Sequence, residues 1–109
     1  MKKIVFMGTP LFAVPILKSI FSKGYNIPLV YTQPPSKSNR GHKVSKSPIH
    51  KFCEENNLKV RTPENFNNLD DEKVILEKLE ADIAIVVAYG QILPKNILHV
   101  CKKGFINIH

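Results

Sequence analysis

Residues 83–88 read Ile-Ala-Ile-Val-Val-Ala, six apolar side chains with no polar residue between them. A strand with one wet face alternates apolar and polar residues, so a run without alternation requires cover on both faces, as in the centre of a parallel sheet. Three further runs rich in Ile, Val and aromatic residues, 3–7, 27–32 and 104–108, read as companion strands, with Lys59-Val60-Arg61 as a weaker fifth. Between them the period changes. Phe12, Ile16, Leu17, Ile20 and Phe21 follow helical spacing, and Gly24 supplies a stop. Pro15 lacks a backbone donor and fits only a first turn, which places the helix start near Leu11 or Phe12. Ile49, Phe52 and Cys53 mark a second helix, entered through Ser47 as cap and Pro48 as first residue; Val74, Leu76 and Leu79 mark a third.

Alternating strands and helices predict an α/β fold: a Rossmann-like, doubly wound, mainly parallel sheet with helices on both faces and ligands bound at the carboxyl ends of the strands. With 109 residues there is material for one domain or part of one. Hydrophobic residues at 43% and charged residues at 23% sit near globular averages, which argues against wholesale disorder. No stretch reaches the continuous apolar length of a spanning helix, so no membrane partner is expected. The opening Met1-Lys2-Lys3 and its apolar run mimic a signal peptide, but Gly8-Thr9-Pro10, Pro15 and Lys18 interrupt it, and export is rejected. Cys53 and Cys101 form no C-x-x-C pair and read as buried structural thiols in a reducing cytoplasm.

Sixteen Lys and Arg against nine Asp and Glu give a net charge of +7, which favours polyanionic partners or simply maintains solubility. Position carries more information. Residues 33–47 hold Lys37, Arg40, Lys43 and Lys46, with His42 among them and no acidic residue. Pro34, Pro35 and Gly41 oppose regular structure, so the segment reads as a basic arm ordered by an anionic surface, or as a solvated linker. Asn65 to Asp71 reads as a shorter polar connection.

Gly8-Thr9-Pro10 stands where a dinucleotide-binding fingerprint would lie, but a single glycine and a proline disfavour NAD, and no P-loop is present; a tight strand-to-helix turn is the plainer reading. Tyr89-Gly90-Gln91-Ile92-Leu93-Pro94 follows the most apolar strand and either offers backbone groups to a flat heterocycle or starts the next helix. In the last strand, alternation sets Asn107 and His109 on the face opposite Ile106 and Ile108. An amide donor beside an imidazole suits acyl-group chemistry, through oxyanion stabilisation and proton handling, although two such residues at a sheet edge can also just face water. The four histidines show no metal-ligand spacing, and no carboxylate pair suggests an acid/base dyad.

Taken together, Phe6-Met7-Gly8-Thr9-Pro10, Thr32-Gln33-Pro34 with Arg40-Gly41 and Ser47-Pro48, Val87 to Pro94, and Ile106-Asn107-Ile108-His109 resemble the methionyl-tRNA formyltransferase family, in order and spacing across essentially the whole chain. That resemblance implies transfer of a formyl group from 10-formyltetrahydrofolate to the amino group of methionine carried by initiator tRNA, in translation initiation. It implies catalytic roles for Asn107 and His109, and a folate site along Tyr89, Gly90, Gln91, Ile92 and Leu93 that works largely through backbone atoms. It also implies that the basic segment, with Lys37, Arg40, His42, Lys43 and Lys46, meets the tRNA acceptor stem.

Members of the family continue past the Asn-x-His motif into a catalytic Asp, further strands and a tRNA-binding barrel. Residues 1–109 are therefore expected to form the amino-terminal part of the formyltransferase domain, truncated on its carboxyl side, inactive alone and inclined to self-associate, whereas a full-length member is expected to be monomeric. Two other readings stand beside this one. The chain could act as a basic RNA-binding fragment without catalysis, or belong to a related enzyme that formylates a sugar amine or a glycinamide nucleotide.

Overall fold

The computed structural model describes residues 2–37, 44–66 and 69–108. In chain order the elements are β1 (Lys3–Gly8), a single 3-10 turn (Leu11–Ala13) running into α1 (Val14–Ser22), β2 (Asn26–Tyr31), β3 (Ser36–Lys37), β4 (Val44–Ser45), α2 (Pro48–Glu55), β5 (Val60–Arg61), α3 (Leu69–Leu79), β6 (Ile83–Val87), α4 (Lys95–Leu98) and β7 (Phe105–Ile108). Five of the strands form one sheet in the order β5-β2-β1-β6-β7, every pair parallel. The chain winds outward from β1 to β5, then returns to β1 and winds the other way through β6 and β7. That reversal makes a switch point between the carboxyl ends of β1 and β6, the place where doubly wound sheets hold ligands.

Two apolar layers cover the sheet. Phe6, Leu17, Val30, Ile49, Cys53 and Val87 pack on the face of α1 and α2, while Val5, Met7, Tyr31, Leu76, Ala84 and Ile97 pack on the face of α3 and α4. β1 is buried on both faces, with Val5, Phe6 and Met7 wholly buried, and so is the second half of β2, at Leu29, Val30 and Tyr31. As expected for residues 83–88, β6 is an interior parallel strand covered on both faces, with Ala84 in one apolar layer and Val87 in the other, while Ile83, Ile85 and Val86 keep partial exposure. Both cysteines are buried as expected, and desolvation pushes the Cys53 thiol up to about 12.

The helix starts follow their sequence signals. Pro15 sits in the first turn of α1, and Ser47 caps α2 by accepting a hydrogen bond from His50 N at 3.0 Å. Gly24 ends the first helix with φ +83°, its N–H bonded to Phe21 O. Three expectations need correction. Phe12 lies outside the core, 61% exposed, because the turn before α1 is 3-10 and its phase differs from the helix that follows. On α3 the inward positions are Glu72, Ile75, Leu76 and Leu79, so Val74 faces outward and a carboxylate occupies a core site. Phe66, in the connection expected to be polar, is buried against Tyr31 and Tyr89.

β2 contains a bulge. Lys3 and Val5 of β1 pair with Asn26 and Leu29, so three steps of β2 oppose two of β1. The extra residue reverses the alternation, which is why Ile27 joins Val30 on the α1/α2 face instead of Leu29 and Tyr31 on the other. Pro28, which has no N–H to give to a ladder, sits within the irregular stretch.

Candidate functional site

Four strand ends meet at the switch point, and side-chain hydrogen bonds tie them together. Thr9, just past β1, donates its hydroxyl to Tyr89 O at 2.8 Å and accepts from Gln33 N at 3.2 Å. Gln33, past β2, donates Nε2 to Gly90 O at 2.8 Å. Gln91 Nε2 donates to Gln33 Oε1 at 2.9 Å and to Pro63 O, past β5, at 2.7 Å. The segment after β6 is therefore gripped at three successive residues by groups from β1, β2 and β5.

Its backbone is unusual for the same reason. Ala88 takes φ +49° and Gly90 φ +91°, two left-handed residues within three positions. The left-handed region costs a residue with a Cβ about 1–2 kcal/mol, so Ala88 stores strain where the strand turns into the site. At Gly90 a Cβ would lie 2.7 Å from Gln33 Nε2. The dihedral favours glycine, and a Cβ would displace the Gln33 amide from its place over the turn.

Behind the turn, Tyr89 is 1% exposed and packs edge-on against Tyr31 and Phe66, with ring centroids 6.5 and 6.1 Å away. Its ring belongs to the core, and burial raises the pKa of its hydroxyl. Beside it, Tyr31 donates to Glu72 Oε1 at 2.8 Å, and Arg61 grips the same carboxylate through Nε and Nη2 at 2.7 and 2.8 Å. The Arg61 hydrogen bonds hold the Glu72 carboxyl below its ordinary range against the opposing effect of burial. This cluster locks α3 to β2 and β5 underneath the site.

A hollow of about 450 Å³ opens above the turn, lined by Phe12, Ala88, Gly90, Gln91, Asn107 and Ile108 among others. A second of about 300 Å³ adjoins it and shares Val86, Gln91 and Asn107, adding Leu93, Leu98 and Phe105. Apolar walls with a few polar groups are the usual make-up of a small-molecule site. The sequence-predicted residues Gly90, Gln91, Leu93 and Asn107 converge here. Tyr89 meets the hollow with its ring turned away into the core, and Ile92, 92% exposed, lines neither hollow. His109 lies outside the described residues.

The two ends of the basic segment pair as a short antiparallel ribbon, Ser36 opposite Ser45 and Lys37 opposite Val44, in place of the irregular structure expected. Thr32 Oγ1 and Ser47 Oγ, 2.6 Å apart, close the ribbon at its base. Between the ribbon and Thr9 lies a third hollow of about 660 Å³, lined by Gln33, Pro34, Pro35, Lys46 and Pro48 among others. Lys46 is paired with Glu54 of α2 at 2.6 Å, so its charge is shared with the fold. Arg40, His42 and Lys43 lie outside the described residues. A further hollow of about 790 Å³, beside β5 and α3, includes none of the predicted site residues.

A Formyl transferase family model matches residues 1–109. The chain belongs to the formyl transferase family. A methionyl-tRNA formyltransferase of Pelagibacter ubique (strain HTCC1062) is 59% identical over 108 residues, 99% of this chain and 35% of that protein. The methionyl-tRNA formyltransferase of Acidiphilium cryptum (strain JF-5) is 45% identical over 107 residues, 98% of this chain and 36% of the relative. That of Rickettsia bellii (strain RML369-C) is 42% identical over 107 residues, 98% of this chain and 35% of the relative. This formyl transferase chain thus spans about 35% of the length of these curated relatives.

At this candidate site, Thr9, Gln33 and Phe12 are the residues that the sequence did not single out for it. Thr9 and Gln33 lie inside motifs that were noticed, but nothing local indicated what they would hold. Among the described residues, no helix is long and apolar enough to cross a membrane, and no group of three or more His, Cys, Asp or Glu is placed to hold a metal ion.

Proposed function

We propose that this chain is the amino-terminal part of a methionyl-tRNA formyltransferase, an enzyme that moves a formyl group from 10-formyltetrahydrofolate to the methionyl amino group of initiator tRNA. The observation that carries the reading is Asn107 lining the same hollow as Gly90 and Gln91, at the switch point of a formyl transferase sheet. The names of its relatives favour the tRNA substrate over a sugar amine or a glycinamide nucleotide.

The residues present fit a folate. The paired hollows have apolar walls in Phe12, Val86, Leu93 and Leu98 for a flat ring system. Gln91 carries a buried amide oxygen without a hydrogen-bond partner among the described residues, which an N–H of a heterocycle would satisfy. The bound folate supplies the formyl carbon. Asn107, which lines the hollow, is assigned donation of an amide N–H to the formyl oxygen as negative charge develops there, when the incoming amine attacks. His109, two positions on in the sequence, is assigned proton handling or added positive charge, and the basic segment with Lys37, Arg40, His42, Lys43 and Lys46 is assigned the tRNA.

Calorimetric titration with 5-formyltetrahydrofolate, a folate that does not donate its formyl group readily, tests the hollow. Saturable binding at one site, weakened at least several-fold by Leu93→Asp, is expected. Equal affinity in the parent and in that variant would remove the folate assignment.

A further inference from the structure

Gln33 lines neither of the hollows assigned to the folate, yet its side chain is hydrogen-bonded to two successive residues of the turn that borders them, Gly90 and Gln91. Its Nε2 donates to Gly90 O and its Oε1 accepts from Gln91 Nε2, while its own N–H rests on Thr9 Oγ1. These bonds span 57, 58 and 24 positions of sequence, so they hold segments that the chain itself does not hold together. Gly90, at φ +91°, is the residue of the turn with the widest backbone freedom, and the Gln33 amide occupies the space that a Cβ there would take.

We propose that Gln33, seated on Thr9, is the positioning residue of the cofactor turn. It fixes the Gly90 peptide plane and the Gln91 side chain in the orientation that a flat ligand meets, without touching the ligand. With the Tyr89 and Gly90 carbonyls engaged by Thr9 and Gln33, and Gln91 Nε2 engaged by Gln33 and Pro63, the turn has one preferred arrangement, in which Gln91 Oε1 is the buried group of the turn's backbone and amide network left without a partner among the described residues. Gln33 is also the first residue after Thr32, whose hydroxyl closes the ribbon, so the same side chain joins the turn to the root of the basic segment.

The proposal rests on the folate reading of the hollow for its ligand, but not for its geometry, and the test separates the two. Gln33→Met preserves volume and removes both hydrogen bonds; Gln33→Glu keeps the acceptor for Gln91 and removes the donor to Gly90. In the 109-residue chain, NMR order parameters of Gly90 and Gln91 are expected to fall from the rigid range near ~0.85 to below ~0.6 in Gln33→Met, with those of β1 unchanged. Gln33→Glu is expected to loosen Gly90 more than Gln91. Affinity for 5-formyltetrahydrofolate should drop roughly tenfold in Gln33→Met, the worth of one to two hydrogen bonds. Unchanged order parameters at residues 90 and 91, or an equal loss across β1 and the turn as a general packing defect would give, overturns the proposal. If the parent chain binds no folate, the reading of the hollow fails, and the order parameters alone decide the role of Gln33.

Discussion

Glu72 sits where an apolar residue would ordinarily face the sheet, and it is tolerated because Tyr31 and Arg61 satisfy both carboxylate oxygens. Removing its charge leaves Arg61 without its partner, although Arg61 is 41% exposed at the side chain and water compensates part of the loss. We expect Glu72→Gln to cost about 1–2 kcal/mol at neutral pH. Because the folded carboxyl titrates below its unfolded value, that stabilisation is complete above the ordinary glutamate value of ~4.3 and disappears as pH falls through the lowered folded value. Thermal midpoints of the parent and the variant should therefore differ most at neutral pH and converge in acid. A gap that stays constant with pH would mean that the carboxylate is not ionised in the fold. Gly8 is constrained differently, by space: a Cβ there would lie 2.9 Å from the Val87 carbonyl oxygen and 2.8 Å from the Phe6 ring. Backbone cannot give way as a flexible side chain can, so Gly8→Ala is expected to destabilise by about 1–3 kcal/mol, read as a lower urea midpoint with unchanged slope.

At the scale of elements, the ribbon and α2 share one residue. Ser47 caps the helix through His50 N and meets Thr32 Oγ1 at the base of the ribbon, so it serves as a hinge pin for both. Ser47→Ala should lower stability by about 1 kcal/mol through the cap. It should also speed amide hydrogen exchange within the ribbon at Ser36–Lys37 and Val44–Ser45, which Ser47→Thr, keeping the hydroxyl, should not. What sequence conveyed about these elements follows their range. The strands at residues 3–7 and 82–88 and the capped helix at Pro48 are readable because their signals are local: an apolar run, a helical period, a Ser-Pro start. The position of β6 beside an edge, the bulge that turns Ile27 to the other face, and the burial of Glu72 depend on which strand lies next to which. No pattern within one element carries that information. The site divides the same way: Gln91 and Asn107 stand in recognisable motifs, whereas Gln33 acquires its role only through partners more than fifty positions away.

For the whole molecule, a net charge of +7 sets a positive field, but the structure makes some cations less available than their count implies. Lys46 is the case in point. At 2.6 Å from Glu54 it is already neutralised locally, and the contact draws the Glu54 carboxyl below its usual range, chiefly through that hydrogen bond. A lysine that binds phosphate by exchanging a carboxylate for it releases fewer counterions than a free one, so it contributes less to the salt dependence of binding. Replacing Arg40 by Ala should therefore lower the log–log salt slope of tRNA binding by about one unit, and Lys46→Ala by distinctly less. Glu54→Gln provides the converse arm, since it frees Lys46 without adding a cation. Fluorescence anisotropy across a salt series should show tighter binding and a steeper slope for Glu54→Gln than for the parent. The opposite result, with Lys46→Ala matching Arg40→Ala and Glu54→Gln without effect, would mean that the Glu54 contact does not withhold Lys46 from the nucleic acid.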